Sequence, residues 1–370
     1  MDAGYCGDGE ELAVSVSLSA GGAAIPRLRR SNCAAPGISR RGRGRGFEYL
    51  DPDGRRIDDP GVLERIAQLV IPPAWRDVWI CTDPHGHLQA TGVDAAGRKQ
   101  YLYHARWRAH RDRRKFDSML AFGAALPRLR RGVARDLGVD GGSRVRVEQL
   151  TEHRVLACSV RLLDLGFFRV GSEDYAERNE SYGLTTMLRE HVTIAAREVI
   201  FDFPAKSGQR RVQAIADSKA LAMLAALKRR RTGSQLLAYR AADGWHELTA
   251  EEVNTYLKRR SRGPFTAKDF RTWNATVLAA VALAVADDVR GRAAREREVK
   301  QAVKTVAAYL GNTPAVCRAS YVDPRVIDRF HAGVTISSAI GEGGPDLSKA
   351  RVRARVERAV LELLEDTTRR

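Results

Sequence analysis

The spacing of apolar residues in this 370-residue chain changes near residue 116, and that change limits the folds it can adopt. Before this point, residues 47–108 contain segments that alternate apolar and polar positions around Pro-Asp-Gly and similar turns, which predicts β-hairpins. After it, apolar residues mostly recur at helical spacing. One exception, residues 181–216, predicts a small three-stranded antiparallel sheet. We therefore expect an α+β fold.

The same pattern predicts three parts of unequal size. Residues 1–45 are rich in Gly, Ala, Ser and Arg and end in "RRGRGRG", a composition that cannot bury enough apolar area to fold. We expect a disordered basic tail there and a β-rich domain at residues 46–112, with one short helix from Pro60 to Val70. A larger, mainly helical domain that carries the three-stranded sheet is expected at residues 113–370.

The charge of the chain indicates a polyanionic partner. Lys and Arg number 62 against 45 Asp and Glu, which gives a formal net charge of +17. The excess is clustered, since residues 101–135 hold ten Lys or Arg and two acids. Binding of basic side chains to phosphates releases condensed counterions, so we favour nucleic acid over the alternative of a merely soluble basic surface.

Other patterns argue against several classes of protein. The five cysteines are scattered without a CxxC pair, which predicts a reducing, cytoplasmic setting and no structural zinc. No metal-ligand spacing and no GxxxxGK[ST] loop is present, so we expect neither a metal nor another cofactor. No apolar run is long enough to span a bilayer, and acidic residues stand where a secretory signal would be positive.

Four separate segments contain residues that could act together on a phosphodiester. Arg169 follows a predicted helix end, Lys206 lies in a predicted hairpin turn, Arg271 is near the start of a long helix, and Tyr321 comes late in the chain. Each alone is typical of ordinary packing or solubility. Together they supply a nucleophilic oxygen, two guanidiniums for a pentacoordinate phosphorus and an ammonium for the leaving oxygen.

The motifs around these residues resemble those of the type IB DNA topoisomerases, in the compact poxvirus-like form found in bacteria. The resemblance covers about residues 47–329, and five motifs agree in order: "GRKQYLYH" (97–104), "FRVG…YGLTT" (168–186), "KSG" (206–208), "KDFRT" (268–272) and "LGNTP…SY" (310–321).

What the resemblance implies is a reaction and a set of roles. Tyr321 would attack a DNA phosphate and become joined to its 3′ side, Arg169 and Arg271 would hold the nonbridging oxygens, and Lys206 would protonate the leaving 5′ oxygen. Asn312 stands where many relatives have a histidine, which questions a proton transfer at that position. Residues implied to contact DNA are Gln100, Tyr101, Tyr103 and Tyr175.

The implied function is relaxation of supercoiled duplex DNA without ATP or metal, by a monomer that clamps DNA in the nucleoid of the cytoplasm. Two alternatives use the same residues. A tyrosine recombinase typically has His three residues before the second arginine, where this chain has Lys268. An architectural DNA-binding protein would be expected to lose a catalytic position. Asn312 also has a purely structural alternative, as the cap of a helix that follows "NTP".

Overall fold

The computed structural model describes residues 27–139, 144–171, 180–286, 289–341 and 344–365, the side chain of Ser207 excepted. The chain divides into two compact units, Met1–Arg114 and Lys115–Arg370. The first is built on an antiparallel sheet and the second mainly on helices, so the predicted α+β class is confirmed. None of the helices in the described ranges is long and apolar enough to cross a membrane.

The first unit contains a five-stranded antiparallel sheet and a short helix. In chain order the strands are β1 (Ile38–Arg43), β2 (Gly46–Leu50), β3 (Arg76–Ile80), β4 (Leu88–Val93) and β5 (Lys99–Tyr103), and in space they follow the order β2-β1-β3-β4-β5. Helix α1 (Pro60–Gln68) begins where the Asp59 carboxylate accepts the N–H of Val62 at 2.9 Å. Its Ile66 is buried with Val78 and Ile80 in a small separate core.

Strand β1 lies inside the segment predicted to be a disordered tail. It pairs with β2 along its length, with Arg41 opposite Glu48, and Arg41 Nε donates to Glu48 Oε1 at 2.7 Å. Ile38 is its one buried residue, so the strand depends mainly on backbone pairing. The tail prediction is therefore wrong for residues 38–43, because composition reports apolar burial and not backbone hydrogen bonds. Residues 1–26 are outside the described part of the chain.

The second unit is mainly helical around one large apolar core. The helices that follow α1 in the described ranges are α2 (Ala105–Leu137), α3 (Glu152–Gly166), α4 (Ser218–Lys228), α5 (Ala250–Ser261), α6 (Ala267–Val285), α7 (Arg292–Leu310), α8 (Pro314–Ser320), α9 (Pro324–His331), α10 (Ser337–Ile340) and α11 (Ala350–Glu365). Helices α2 and α6 pack closely, since a Cβ added to Gly123 would come within 2.5 Å of the Trp273 ring.

Two small sheets interrupt the helices. The predicted three-stranded antiparallel sheet is present as β6 (Val192–Ile194), β7 (Val199–Ala205) and β8 (Gln209–Ile215), with β7 in the centre. A further hairpin of β9 (Ala238–Ala241) and β10 (Gly244–Glu247) was not predicted. The first of these sheets holds the turn between β7 and β8, where Lys206 lies.

A buried ionic cluster joins α11 to the end of α3. Asp164 accepts from Arg130 Nε at 2.9 Å and from Arg353 Nη2 at 2.7 Å, and Glu357 pairs with the same two arginines at 2.6 and 3.1 Å. Burial raises the pKa of Asp164, but the charges of Arg353 and Arg130 outweigh it and hold that pKa below its ordinary value. The cluster thus anchors the end of α3, and Arg169 follows five residues after Asp164.

Candidate active site

The C-terminus of α7 ends in a tight turn. Gly311 adopts a left-handed conformation, with φ of +60°, which glycine enters without the steric penalty of a Cβ. The N–H of Gly311 donates to Ala308 O at 3.2 Å and that of Asn312 to Ala307 O at 3.0 Å, the pattern of a Schellman motif. This motif leaves the later carbonyls of the helix end to other donors.

Arg169 and Arg271 both donate to this turn. Arg169 Nη2 reaches Gly311 O at 3.1 Å and Asn312 Oδ1 at 2.8 Å. Arg271 Nη2 reaches Leu310 O at 2.9 Å, while its Nη1 donates to the carbonyl of Phe167 just after α3. The structure therefore brings the side chains of two arginines that are far apart in sequence to the same turn.

Arg271 is almost fully enclosed, with 3% of its surface exposed. Burial is the main cause that lowers the pKa of Arg271 to about 10, and the nearby charge of Arg169 lowers it further. An interaction with the side chain of Tyr321 acts in the opposite direction. Arg271 still carries its charge at neutral pH, so the region around the turn is positive.

Tyr321 follows directly after α8, beside these cations. The centre of its ring lies 5.4 Å from Arg271 Cζ and 5.7 Å from Lys115 Nζ. Its N–H donates to Cys317 O at 2.9 Å, and its carbonyl accepts from Thr276 Oγ1 at 3.2 Å. The backbone of this half-buried tyrosine is therefore held from two sides.

Lys206 is exposed in the short turn Lys206–Gly208 that joins β7 to β8. It lines an open cavity of about 590 Å³ together with Arg169 and Gly311. The predicted position of this lysine in a hairpin turn is confirmed. Because the cavity is open to solvent, a small molecule would not be enclosed in it.

Asn312 has one satisfied and one unsatisfied polar atom. Its Oδ1 accepts from Arg169, whereas its Nδ2 is buried without a hydrogen-bond partner among the described residues. The cap of α8 is Thr313, whose Oγ1 accepts the N–H of Val316 at 3.3 Å. The alternative interpretation of Asn312 as that cap is therefore wrong.

The residues expected to contact DNA from the small domain lie on β5, an edge strand of the first unit. Tyr101 and Tyr103 share one face of the strand, and their rings stack with centres 6.3 Å apart. Tyr101 is 46% exposed. Gln100 donates through Nε2 to Asp94 Oδ2 at 2.9 Å. Tyr175 is not among the residues that the structure describes.

Arg211 on β8 also donates to the end of α7, and sequence reasoning missed it. Its Nη2 reaches Tyr309 O at 2.7 Å, and its Nε and Nη2 both reach Gln213 Oε1, at 2.9 and 2.8 Å. The sequence signal that could have identified Arg211 is the alternation of side chains along a β-strand, which puts Arg211 and Gln213 on one face and Arg210 on the other.

Comparison with known proteins identifies the family. The model of the eukaryotic DNA topoisomerase I catalytic core matches residues 104–334, and that of the bacterial DNA topoisomerase IB N-terminal domain matches residues 46–94. A DNA topoisomerase 1B of Acanthamoeba polyphaga mimivirus is 31% identical over 299 residues, which cover 77% of this chain and 85% of that protein. The chain belongs to the type IB DNA topoisomerases.

A second relative is similar to this chain over a shorter range. A DNA topoisomerase 1 of Candidozyma auris is 29% identical over 131 residues, which cover 35% of this chain and 17% of that protein. This type IB topoisomerase is thus an isomerase that acts on DNA, and the recombinase and architectural alternatives are not favoured. The range matched by the catalytic-core model contains all five residues for which a chemical role was expected.

Proposed function

We propose that Tyr321 is the nucleophile of this topoisomerase and that four side chains assist it: Arg169, Lys206, Arg271 and Asn312. The observation that carries the proposal is the convergence of Arg169, Arg271 and Asn312 on one turn, with the Tyr321 ring beside Arg271. Preorganised positive donors around a reacting phosphate stabilise the charge that develops in the transition state.

In the proposed reaction the Tyr321 hydroxyl loses its proton to solvent as its oxygen forms a bond to phosphorus, and the bond from phosphorus to the 5′ oxygen breaks. Arg169 and Arg271 hold the nonbridging oxygens, and Lys206 gives a proton to the departing 5′ oxygen. The phosphotyrosyl bond keeps the energy of the ester, so the 5′-hydroxyl can attack it and restore the strand without ATP. While the strand is open, the free end turns and supercoils of either sign are lost.

We propose that the protein acts as a monomer that clamps duplex DNA, prefers supercoiled molecules and associates with the nucleoid. The net charge of +17 supports a large electrostatic contribution from phosphates. The stacked, partly exposed Tyr101 and Tyr103 offer contacts of another kind, to sugars or bases. Gln100, whose amide is bonded to Asp94, precedes Tyr101 on β5 and belongs to the opposite face of the strand.

Relaxation of a supercoiled plasmid in EDTA tests the function. The native chain is expected to relax plasmids of either sign without ATP or divalent metal, because guanidinium and ammonium groups supply the positive charge at the phosphate. Strand exchange between two sites would indicate a recombinase, and binding without nicking an architectural protein. Strict magnesium dependence of nicking on a short suicide duplex, in which the cleaved strand cannot be rejoined, would contradict the mechanism.

Substitutions of Asn312 test whether its unpartnered Nδ2 donates to a nonbridging oxygen. We expect Asn312→Ala to slow single-turnover cleavage on the order of 10²-fold, the usual loss of one oxyanion donor. Asn312→His keeps a donor and is expected to stay within about tenfold of the native rate. Asn312→Asp should be slower than Asn312→Ala, because it places a negative charge against the phosphate.

Thr313→Ala provides the matched control for these variants. Since Thr313 caps α8, its loss should lower stability by about 1 kcal/mol and leave the cleavage rate nearly unchanged. Melting temperature and single-turnover rate are measured for each variant. A native cleavage rate in Asn312→Ala would remove Asn312 from the reaction.

A further inference from the structure

We propose that Arg211 is a positioning residue for DNA cleavage, which holds the end of α7 so that the Asn312 amide faces the phosphate. The inference rests on the proposed function and adds to it a residue outside the five motifs. It follows from the hydrogen bonds at the end of α7.

Three consecutive carbonyl oxygens at this helix end accept from three different guanidiniums. Tyr309 O accepts from Arg211 at 2.7 Å, the next carbonyl from Arg271 at 2.9 Å, and that of Gly311 from Arg169 at 3.1 Å. The last carbonyls of a helix lack partners within it and carry the negative end of its dipole. The three arginines therefore supply the hydrogen bonds that the last carbonyls of α7 lack, and Arg211 bonds the first of these carbonyls.

The Arg211 guanidinium is itself fixed in a plane. Gln213, two residues later on the same face of β8, accepts from both Nε and Nη2, at 2.9 and 2.8 Å. A guanidinium anchored in this way can hold a neighbouring carbonyl in place, which a mobile surface arginine cannot. The position of Tyr309 O is thus tied to the sheet that also carries the Lys206 turn.

The turn that Arg211 holds is the one that aims Asn312. Asn312 follows directly after Gly311, its N–H is bonded to Ala307 O, and its Oδ1 is taken by Arg169. With the backbone and Oδ1 fixed, the direction of the unpartnered Nδ2 is fixed as well. A displacement of about 1 Å at a reacting group can reduce a rate by about 10²-fold, so a shift of this turn is expected to matter.

The electrostatic surroundings of Arg211 are consistent with a position close to a bound phosphate. Burial, followed by the charges of Arg271 and Arg169, lowers the pKa of Arg211 to about 10. The three cations repel one another, and a phosphate among them would relieve that repulsion. The arrangement of the three guanidiniums is therefore complementary to an anion.

Single-turnover cleavage of a suicide duplex by the full chain tests the inference. We expect Arg211→Ala to cleave about 10- to 100-fold more slowly than the native chain, with the Kd for the duplex within about threefold. Arg211→Lys keeps the charge, but an ammonium lacks the planar set of donors with which the guanidinium bonds both Gln213 Oε1 and Tyr309 O. This variant should therefore recover only part of the rate. Arg210→Ala, the neighbour on the opposite face of β8 that pairs with Asp202, is the matched control and should stay within about twofold.

A double-mutant cycle with Asn312→Ala separates positioning from general stabilisation. If Arg211 acts through Asn312, the double variant should cleave within about threefold of the slower single variant. Losses that multiply would show that Arg211 acts independently of Asn312 and would overturn the proposal, as would a native rate in Arg211→Ala. Should Arg211→Ala fail to fold, the same cycle is run with Arg211→Lys.

The proposed function and the role of Arg211 fail in different ways. If the native chain forms no covalent adduct with the suicide duplex, the proposed function is wrong. If the native chain forms the adduct and Arg211→Ala forms it equally fast, only the positioning role of Arg211 is wrong.

Discussion

Tyr321→Phe is expected to bind duplex DNA as tightly as the native chain and to cut none of it. The substitution removes the oxygen that we propose forms the bond to phosphorus, and it keeps the ring beside Arg271. The backbone contacts of Tyr321 with Cys317 and Thr276 do not involve the hydroxyl, so the fold should be preserved. Plasmid relaxation, adduct formation on a suicide duplex and the duplex Kd are measured together.

Tyr309→Phe is the matched control for this result. Tyr309 is 56% exposed and lines the cavity that contains Lys206, so its hydroxyl is the competitor to exclude. That hydroxyl has no role in the proposed reaction, and the variant should cleave at the native rate. Relaxation by Tyr321→Phe, or an adduct mapped to any other tyrosine, would overturn the assignment of the nucleophile.

Lys206→Ala is expected to slow cleavage of ordinary DNA by about 10³-fold, within the range of ~10²–10⁴ that a positioned general acid contributes. A duplex with sulfur in place of the 5′-bridging oxygen at the cleaved bond should recover much of this loss, because a thiolate leaves without protonation. Rates on both duplexes are compared for the native chain and the variant.

The sulfur substrate distinguishes an acid from a residue that only orients the phosphate. An equal loss on both duplexes would mean that Lys206 positions the substrate and that another group supplies the proton. Lys304→Ala, which removes an exposed lysine of α7, controls for the loss of one positive charge and should leave both rates close to native.

The helices could be predicted from sequence where apolar spacing was strong. The end of α3 at Gly166 was predicted because the apolar period stops there. Strand β1 could not be, since Ile38 is its only buried residue. The β9–β10 hairpin was missed although an Asp-Gly pair typical of hairpin turns stands at residues 243–244, because its strands of four residues are too short to show alternation.

The active site was predictable in its parts but not in its arrangement. The resemblance pointed to Arg169, Arg271, Lys206 and Tyr321, whose chemical roles remain predictions. That the arginines meet at the carbonyls of one helix end depends on tertiary packing, which local patterns do not encode. For the same reason the sequence does not single out Arg211. It is one member of the "RR" pair on β8, and only the contact with the end of α7 distinguishes it from Arg210.

The ionic cluster of Asp164 has a consequence for chain synthesis. Asp164 and Arg130 are made early, whereas Arg353 and Glu357 are made after Tyr321. Until α11 is complete, Asp164 has Arg130 but not Arg353 as a partner, so the buried carboxylate is only partly compensated. The end of α3, which leads to Arg169, therefore lacks part of its ionic anchor when Tyr321 is first made. A nascent chain therefore carries the proposed nucleophile before it carries the arginine and the carboxylate that complete the cluster at the end of α3, so we expect the proposed active site to be completed only after α11 has been made.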